Sequence, residues 1–221
     1  MRCLICIPTN NGAEEMPMKT CYIVGAGDFE RGFTPRQDDF VIAADGGYSS
    51  LVKKGIRCDL LIGDMDSIND IPDGVNLIRH PVEKDETDTH LAYLEGWRRG
   101  YRKFEIYGGT GGRSDHTFAN YCLLLYIKNR GGEARLHSDT EVAYLIQNGG
   151  MRVTGKPKSR ISVFAIGCEA VGVNINGLYY ELSGGRLTPD FPLGVSNSFV
   201  TEEAEICVES GTLLVIQQKC T

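Results

Sequence analysis

The sequence lacks the features that would place it in a membrane or on nucleic acid. No apolar stretch approaches the roughly 20 residues that a helix needs to cross a bilayer. The apolar residues at the N-terminus stop at Pro8 and are too few for the core of a secretory signal peptide. No run of five or more Lys and Arg residues occurs, and the formal net charge is −6. We therefore expect a cytoplasmic protein that has neither a membrane nor a nucleic acid as its partner.

The eight cysteines do not form a recognisable metal-binding pattern. Cys3-Leu4-Ile5-Cys6 has the spacing of a zinc knuckle, but no second pair of Cys or His residues follows nearby. An even count also allows a disulfide framework. Because Cys21, Cys122 and Cys207 lie in apolar runs, we expect reduced, mostly buried thiols that pack as small hydrophobic side chains.

Short apolar runs alternate with helical patterns over the first part of the chain. Helical spacing places four residues on one face of each of two helices: Leu91, Leu94, Trp97 and Arg98 in one, and Phe118, Cys122, Leu125 and Tyr126 in the next. This alternation predicts an α/β domain with a mainly parallel, doubly wound sheet. The predicted strands are residues 20–24, 40–44, 59–62, 75–79 and 104–107, and the predicted helices are residues 48–54, 87–99 and 115–129.

Beyond about residue 145 the helical patterns end, and short strand-like runs follow one another between Gly, Pro and Asn residues. This pattern predicts an all-β domain, an antiparallel sandwich or small barrel. We expect the boundary near Gln147-Asn148-Gly149-Gly150, with domains at residues 1–145 and 146–221 and a possible extension at residues 1–17. The predicted strands are residues 160–166, 170–175, 179–182, 199–201, 204–209 and 212–217.

Four short motifs pair carboxylates with glycine or a turn, and three of them directly follow a predicted strand. Open α/β sheets bind their ligands beyond the carboxyl ends of the strands. Carboxylate oxygens are the ligands that Mg²⁺ prefers, and glycine lets backbone N–H groups approach phosphate. The motifs therefore predict a site for a magnesium nucleotide; they are Asp45-Gly46-Gly47, Gly63-Asp64-Met65-Asp66-Ser67, Lys84-Asp85-Glu86-Thr87-Asp88 and Gly108-Gly109-Thr110-Gly111-Gly112-Arg113-Ser114-Asp115-His116.

The first motif permits two interpretations. Gly46 and Gly47 allow a tight turn into a helix whose free N–H groups could meet phosphate, with Asp45 beside the nucleotide. Alternatively, Asp45 caps the helix in an ordinary strand–helix turn. In the second motif, Asp64 and Asp66 point to the same side of an extended segment and could share one cation. The alternative there is a polar turn that hydrogen-bonds its own backbone.

The third and fourth motifs also have structural alternatives. If Asp85 and Asp88 both lie in the first turn of a helix, their spacing places them on one face, although acids are expected there in any case. Lys84 adds a cation that could contact phosphate. Arg113 can hold phosphate with two donors, and Asp115 caps the following helix or accepts a hydrogen bond from substrate. The adjacent His116 is expected to be a structural helix residue.

Gly25-Ala26-Gly27 follows the first predicted strand and begins a dinucleotide-binding fingerprint. The fingerprint is incomplete, because Glu30 stands where a third glycine is needed. We therefore find only weak support for a nicotinamide-dependent dehydrogenase.

In this order the four motifs resemble the thiamine pyrophosphokinase family over about residues 20–217. Gly177-Leu178-Tyr179-Tyr180-Glu181-Leu182 and Gly194-Val195-Ser196-Asn197 resemble its vitamin-binding sandwich. The resemblance implies transfer of a pyrophosphoryl group from ATP to the hydroxyethyl group of thiamine, which yields AMP and thiamine diphosphate. It also implies a homodimer in which each site combines one chain's α/β domain with the partner's sandwich.

The resemblance further implies a role for each matching residue. Two functional classes remain as alternatives, a non-catalytic nucleotide sensor and a metal-dependent phosphohydrolase. By resemblance, Mg²⁺ is held by Asp64, Asp66, Asp85 and Asp88; Asp45, Lys84, Arg113 and Asn120 lie near ATP; Asp115, Ser196 and Asn197 face thiamine; and Tyr180 and Phe199 stack on its rings. The four metal-binding acids, Arg113 and Asp115 form the catalytic set, with Asp115 the first candidate for a general base.

Overall fold

A computed structural model describes residues 18–27, 29–64, 75–81, 83 and 85–219. Within these residues the chain forms two compact units, the first ending at Asp139 and the second beginning at Thr140. The predicted boundary between residues 145 and 146 falls inside a strand of the second unit. No helix among the described residues is long and apolar enough to cross a membrane.

The first unit is built on a parallel sheet, as the alternating pattern predicts. Every strand pair in it runs parallel. The central strands are buried along nearly their whole length, which explains why they are continuous apolar runs rather than alternating ones. The strands are β1 (Thr20–Val24), β2 (Phe40–Ala44), β3 (Leu60–Gly63), β4 (Leu77–Arg79), β5 (Lys103–Tyr107) and β6 (Glu133–His137).

Helices cover both faces of this sheet. The helices are α1 (Gly47–Lys53), α2 (Asp88–Arg98) and α3 (Ser114–Asn129). On one face, Leu51 of α1 packs with Val24, Val41 and Leu61. On the other, α2 approaches β1 so closely that a Cβ on Gly96 would lie 2.8 Å from the Cys21 sulfur. Rings of Tyr93 and Tyr126 then join α2 to α3.

The strand order creates a crevice at one edge of the first unit. The order is β6-β5-β1-β2-β3-β4. From β1 the chain proceeds to β2, β3 and β4 on one side and then crosses back through α2 to β5 on the other side. The connections leaving β1 and β5 therefore diverge, and the ends of these two strands form the topological switch point at which open α/β sheets bind ligands.

The faces that helical spacing marks are not the most buried faces of α2 and α3. In α2 the buried residues are Ala92, Tyr93 and Gly96. In α3, Phe118 and Tyr126 are exposed, and the buried side chains are Asn120, Leu123, Leu124 and Ile127. Close packing of α2 on the sheet requires small residues such as Gly96. Hydrophobicity alone therefore does not identify the helix face that packs on the sheet. Cys122 lies on the exposed face of α3 as well, contrary to its predicted burial.

The second unit consists of antiparallel strands around one apolar core, as the sequence predicts. No helix occurs among its described residues, 140–219. Its largest buried side chains include Phe199, Ile161 and Ile206. The strands are β7 (Glu141–Thr154), β8 (Arg160–Ala165), β9 (Ala170–Asn176), β10 (Leu182–Leu187), β11 (Asn197–Ser198) and β12 (Glu203–Gln218).

The structure has a single bulge where the sequence predicts two interruptions, the domain boundary at residues 147–150 and the gap between the strands 204–209 and 212–217. The pairing of β7 with β12 shifts register between Val208 and Thr212, where Asn148 has a φ of 45° and Gly211 a φ of 109°. The Gly211 N–H donates to the Asn148 side chain at 2.9 Å and closes the bulge. The turn-forming residues therefore bend one long hairpin instead of separating strands. The predicted strands at 179–182 and 199–201 are displaced too, because β10 begins at Leu182 and β11 ends at Ser198.

Candidate active site

Two glycine loops meet at the switch point between β1 and β5. The Gly25 N–H donates to the Tyr107 carbonyl at 2.8 Å, and the Gly27 N–H donates to the Gly108 carbonyl at 2.9 Å. A Cβ on Gly25 would lie 2.7 Å from the Gly108 oxygen, which is closer than real Cβ contacts come. Gly108 itself has a φ of 61°, which glycine adopts at little cost. The closest contacts between the two loops are therefore made by backbone atoms.

Sequence reasoning undervalued the Gly25–Gly27 loop. As a fingerprint the loop is incomplete, but its importance comes from the strand order, which places it beside the Gly108 loop. The first turn of α2 approaches the same place, since the Thr89 hydroxyl lies 3.6 Å from where a Cβ on Gly25 would be. The Gly25 loop, the Gly108 motif and the first turn of α2 thus meet at this edge of the sheet.

Asp45 directly follows β2 in a backbone conformation that is uncommon for a residue with a side chain. Its φ is 48°, and its N–H donates to the Ile62 carbonyl at 2.7 Å. Such outliers cluster at functional sites. Gly46, not Asp45, occupies the N-cap position of α1. Packing requires a glycine at position 47, because a Cβ there would overlap the Val24 carbonyl, and its place beside the nucleotide stays a prediction.

Asp64 follows β3 at the same edge of the sheet as Asp45. The two strand ends are tightly packed, since a Cβ on Gly63 would lie 3.1 Å from the Asp45 Cα. Asp64 is half-buried. Asp66, its predicted partner in holding a cation, lies outside the described residues, as does Lys84.

The structure separates Asp85 from Asp88 at the start of α2. Thr87 is the N-cap and accepts a hydrogen bond from the His90 N–H at 3.2 Å. Asp88 is therefore the first helical residue and is half-buried, whereas Asp85 precedes the cap and is exposed. The two acids therefore bracket the start of α2, and the condition that both lie in its first turn is not met, because the Thr87 hydroxyl takes the capping position. Among the described residues, no three His, Cys, Asp or Glu side chains are grouped so as to hold a metal.

Arg113 and Asp115 form a two-point ion pair with each other. The guanidinium contacts the two carboxylate oxygens at 2.6 and 3.2 Å, and both side chains are largely exposed. The hydrogen bond from Arg113, followed by one from the His116 N–H, lowers the pKa of Asp115 to about 2. A carboxylate with so low a pKa has little proton affinity near neutral pH, so Asp115 is a poor general base. Phosphate would have to share or displace this contact to reach Arg113.

Asn120 supports the glycine loop from beneath. Its side chain is 5% exposed, and its amide donates to the Gly109 carbonyl at 2.8 Å. A Cβ on Gly109 would lie 2.9 Å from the same amide nitrogen. The structure therefore favours a positioning role for Asn120 over the predicted direct contact with the nucleotide.

The second unit contains a cavity of about 490 Å³, a size common for small-molecule sites. Tyr180 and Ser196 line it, and Ser196 has a φ of 59°. Asn197 also borders the cavity but is 4% exposed. Its side chain is occupied with the loop: the oxygen accepts from the N–H groups of Tyr180 and Ser198, and the amide donates to the Tyr180 carbonyl. Asn197 thus positions Tyr180.

The prediction that Phe199 stacks on a ligand is wrong. Its ring is 2% exposed and belongs to the core of the second unit. A Cβ on Gly155 would lie within 2.8 Å of three atoms of that ring, so the face is already covered by backbone. Sequence reasoning also passed over Glu181, which lines the cavity beside Tyr180.

Large apolar side chains are exposed around the cavity, on the loops between β9 and β10, between β10 and β11, and after β11. Tyr180, Leu193 and Val195 both line the cavity and are more than half exposed. Exposed apolar patches of this kind mark interaction surfaces. The other exposed apolar side chains on these loops are Tyr179, Phe191 and Val200.

Each unit also matches a known domain type. Residues 35–136 match the family model described as "Thiamin pyrophosphokinase, catalytic domain", and residues 152–213 match "Thiamin pyrophosphokinase, vitamin B1 binding domain". Together the two matches cover more than half of the chain. The chain belongs to the thiamine pyrophosphokinase family.

Individual members of the thiamine pyrophosphokinase family agree with this assignment over nearly the whole chain. Thiamine pyrophosphokinase of Bacillus subtilis is 26% identical over 212 residues, which are 90% of this chain and 99% of that protein. Its crystal structure has a TM-score of 0.80, with 92% of this chain and 100% of that chain covered at 23% identity. A family protein from Enterococcus faecalis has a TM-score of 0.78 at 25% identity, with the same coverage.

A more distant family member has the same fold. The enzyme from Candida albicans has a TM-score of 0.69 at 16% identity, with 90% of each chain covered. An α/β unit followed by an antiparallel β unit is thus the arrangement of the thiamine pyrophosphokinase fold, which confirms the predicted fold class.

Proposed function

We propose that the protein transfers a pyrophosphoryl group from ATP to the hydroxyl of thiamine's hydroxyethyl group, forming thiamine diphosphate and releasing AMP. The observation that carries this function is the match of one chain to both family domains, the catalytic one and the vitamin B1-binding one. The sensor and the phosphohydrolase are not favoured, since neither explains a vitamin-binding domain beside a catalytic one.

The crevice beyond β1 and β5 is the proposed site for the ATP phosphates. The Gly25 and Gly108 loops bring backbone to the surface there, and Arg113 begins α3 directly after the second loop. The thiamine oxygen attacks the β-phosphorus of ATP, the bond from that phosphorus to the α-phosphate oxygen breaks, and AMP leaves. The hydroxyl proton passes to solvent, since a loose transition state does not require its early removal.

Mg²⁺ is the proposed metal, because the donors available at this edge are carboxylates. Asp64 and Asp88 would hold it, with Asp66 and Asp85 as the further predicted ligands. Mg²⁺ is usually bound through one or two carboxylates together with substrate phosphates and water, so the site needs no complete protein cage. When bound, the metal neutralises charge on the phosphoryl oxygens.

The exposed apolar residues around the cavity support a homodimer. In the proposed arrangement, the β unit of one protomer and the α/β unit of its partner complete each site. This would cover side chains such as Tyr179 and Val200 that are otherwise exposed. We also retain the predicted cytoplasmic location, which fractionation of cells with an antibody to the protein would test.

A stoichiometric assay tests the function. Purified protein is incubated with ATP, Mg²⁺ and thiamine, and AMP and thiamine diphosphate are quantified by chromatography. We expect the two products in equal amounts, and no AMP when thiamine is omitted. AMP release that does not depend on thiamine would contradict the proposal, as would ATP binding without any turnover.

A further inference from the structure

The cavity of the second unit has one charged side chain among the described residues that line it. The wall is mostly aliphatic, with Ile175, Leu182 and Leu187 among its members. Tyr180 and Glu181 lie together in this wall. A carboxylate beside apolar side chains is poorly solvated when a ligand displaces water, so it favours a ligand that carries the opposite charge.

Glu181 also lacks the kind of ion pair that Glu169 and Glu203 form. Glu169 pairs with Arg186, and Glu203 lies near Arg152. Within the part of the chain that the structure describes, Glu181 has no cationic partner. Glu181 is exposed, and its Oε1 accepts a hydrogen bond from the Gly177 N–H at 3.1 Å, which restrains the carboxylate. The negative charge is therefore held in place without being neutralised.

The neighbouring Tyr180 is held in place equally firmly. Both its N–H and its carbonyl are hydrogen-bonded to the buried Asn197 side chain, at 2.9 and 2.7 Å. Its ring is 65% exposed and contacts Tyr179 edge to face. An aromatic ring and a carboxylate on one wall are the two groups that attract a flat cation, the ring through its π electrons and the carboxylate through its charge.

We propose that Glu181, together with Tyr180, makes the cavity selective for the cationic heteroaromatic ring of the substrate. This inference rests on the proposed function, which supplies thiamine, whose thiazolium ring has a permanent positive charge. Glu181 provides the counter-charge and Tyr180 an aromatic surface. The pair thus determines specificity for a charged ring, without taking part in the transfer of the pyrophosphoryl group.

The test compares thiamine with its neutral thiophene isostere in wild type and in Glu181→Gln. Glutamine removes the charge but retains a carbonyl oxygen that can accept the Gly177 N–H. Dissociation constants come from calorimetry, and KM and kcat from AMP release. We expect the preference for thiamine over the isostere to fall about 10-fold in the variant, because a partly solvated charge pair contributes about 1–2 kcal/mol. The affinity for the isostere and kcat should change little.

Three further variants make the result decisive. Glu202→Gln removes an exposed carboxylate of the same unit that does not line the cavity and should behave as wild type. Glu181→Asp retains the charge and should restore most of the preference. Tyr180→Leu should weaken binding of both ligands. Circular dichroism establishes that each variant is folded.

An unchanged preference in a folded Glu181→Gln variant would overturn the inference, as would an equal loss of affinity for both ligands. Neither outcome would affect the proposed function, which fails only if wild-type protein does not convert ATP and thiamine to AMP and thiamine diphosphate.

Discussion

Replacing Gly25 by Ala tests whether the two glycine loops approach as closely as the structure shows. The new Cβ would lie 2.7 Å from the Gly108 oxygen and 3.3 Å from its carbonyl carbon, and both atoms are backbone. A backbone neighbour cannot rotate away as a flexible side chain can. The loops must therefore separate by several tenths of an ångström, and overpacking of this kind costs about 1–3 kcal/mol.

Gly32→Ala is the matched control. Neither glycine has a positive φ, but a Cβ on Gly32 would meet only side-chain atoms, the nearest at 3.5 Å. Alanine at such a position reduces the entropy of the unfolded chain and is neutral or stabilising by about 0.4–1 kcal/mol. Thermal unfolding followed by circular dichroism should show a lower midpoint for Gly25→Ala only, by several degrees.

The same pair of variants links the loops to nucleotide binding. Because the Gly25 loop borders the proposed phosphate site, Gly25→Ala should also raise the KM for ATP, whereas Gly32→Ala should leave it unchanged. The reasoning would be refuted if the two variants had equal midpoints and equal KM values. A lower midpoint and an unchanged KM for Gly25→Ala would support the close contact between the loops but would exclude the Gly25 loop from the ATP site.

The remaining predictions concern the metal, the ion pair and the dimer. Asp64→Asn, or chelation by EDTA, should lower turnover about 100-fold or more. Full activity in EDTA would contradict the proposal that the reaction requires Mg²⁺. Because Arg113 depresses the pKa of Asp115 to about 2, the stabilising effect of the pair is complete above the unfolded pKa and is lost only as pH falls through about 2. The dependence of kcat on pH should therefore show no ionisation of Asp115 between pH 5 and 9, and an ionisation there that disappears in Asp115→Asn would contradict this. Refolding Asp85→Asn together with Ser196→Ala should restore about a quarter of wild-type activity if sites are shared across a dimer, and no recovery in confirmed mixed dimers would exclude sharing.

The fold of the first unit was accessible from sequence because its central strands are buried on both faces. Burial makes β1, β2 and β3 continuous apolar runs, which stand out between helical patterns. The apolar patterns do not reveal β6, because four of its five residues are not fully buried and its sequence is largely polar. Hydrophobic periodicity does not identify the most buried face of α2, because Gly96 belongs to that face through its small size rather than its hydrophobicity.

Much of the candidate site depends on contacts between residues distant in sequence. The pairing of the Gly25 and Gly108 loops follows from the order of the strands, which a local pattern does not contain. Likewise, the role of Asn197 in holding Tyr180, and the buried position of Phe199, follow from packing in the second unit. Local patterns did indicate the acids at strand and helix ends, because their neighbouring apolar runs reveal where those elements stop.

The position of bond cleavage in ATP tests the central claim most directly. Wild-type protein is incubated with thiamine, Mg²⁺ and ATP labelled with ³²P at either the α or the γ phosphate, and the products are separated. We predict that the γ label appears in thiamine diphosphate and the α label in AMP, since the β and γ phosphates move together. Formation of thiamine monophosphate with ADP, or release of labelled phosphate in the absence of thiamine, would contradict the account.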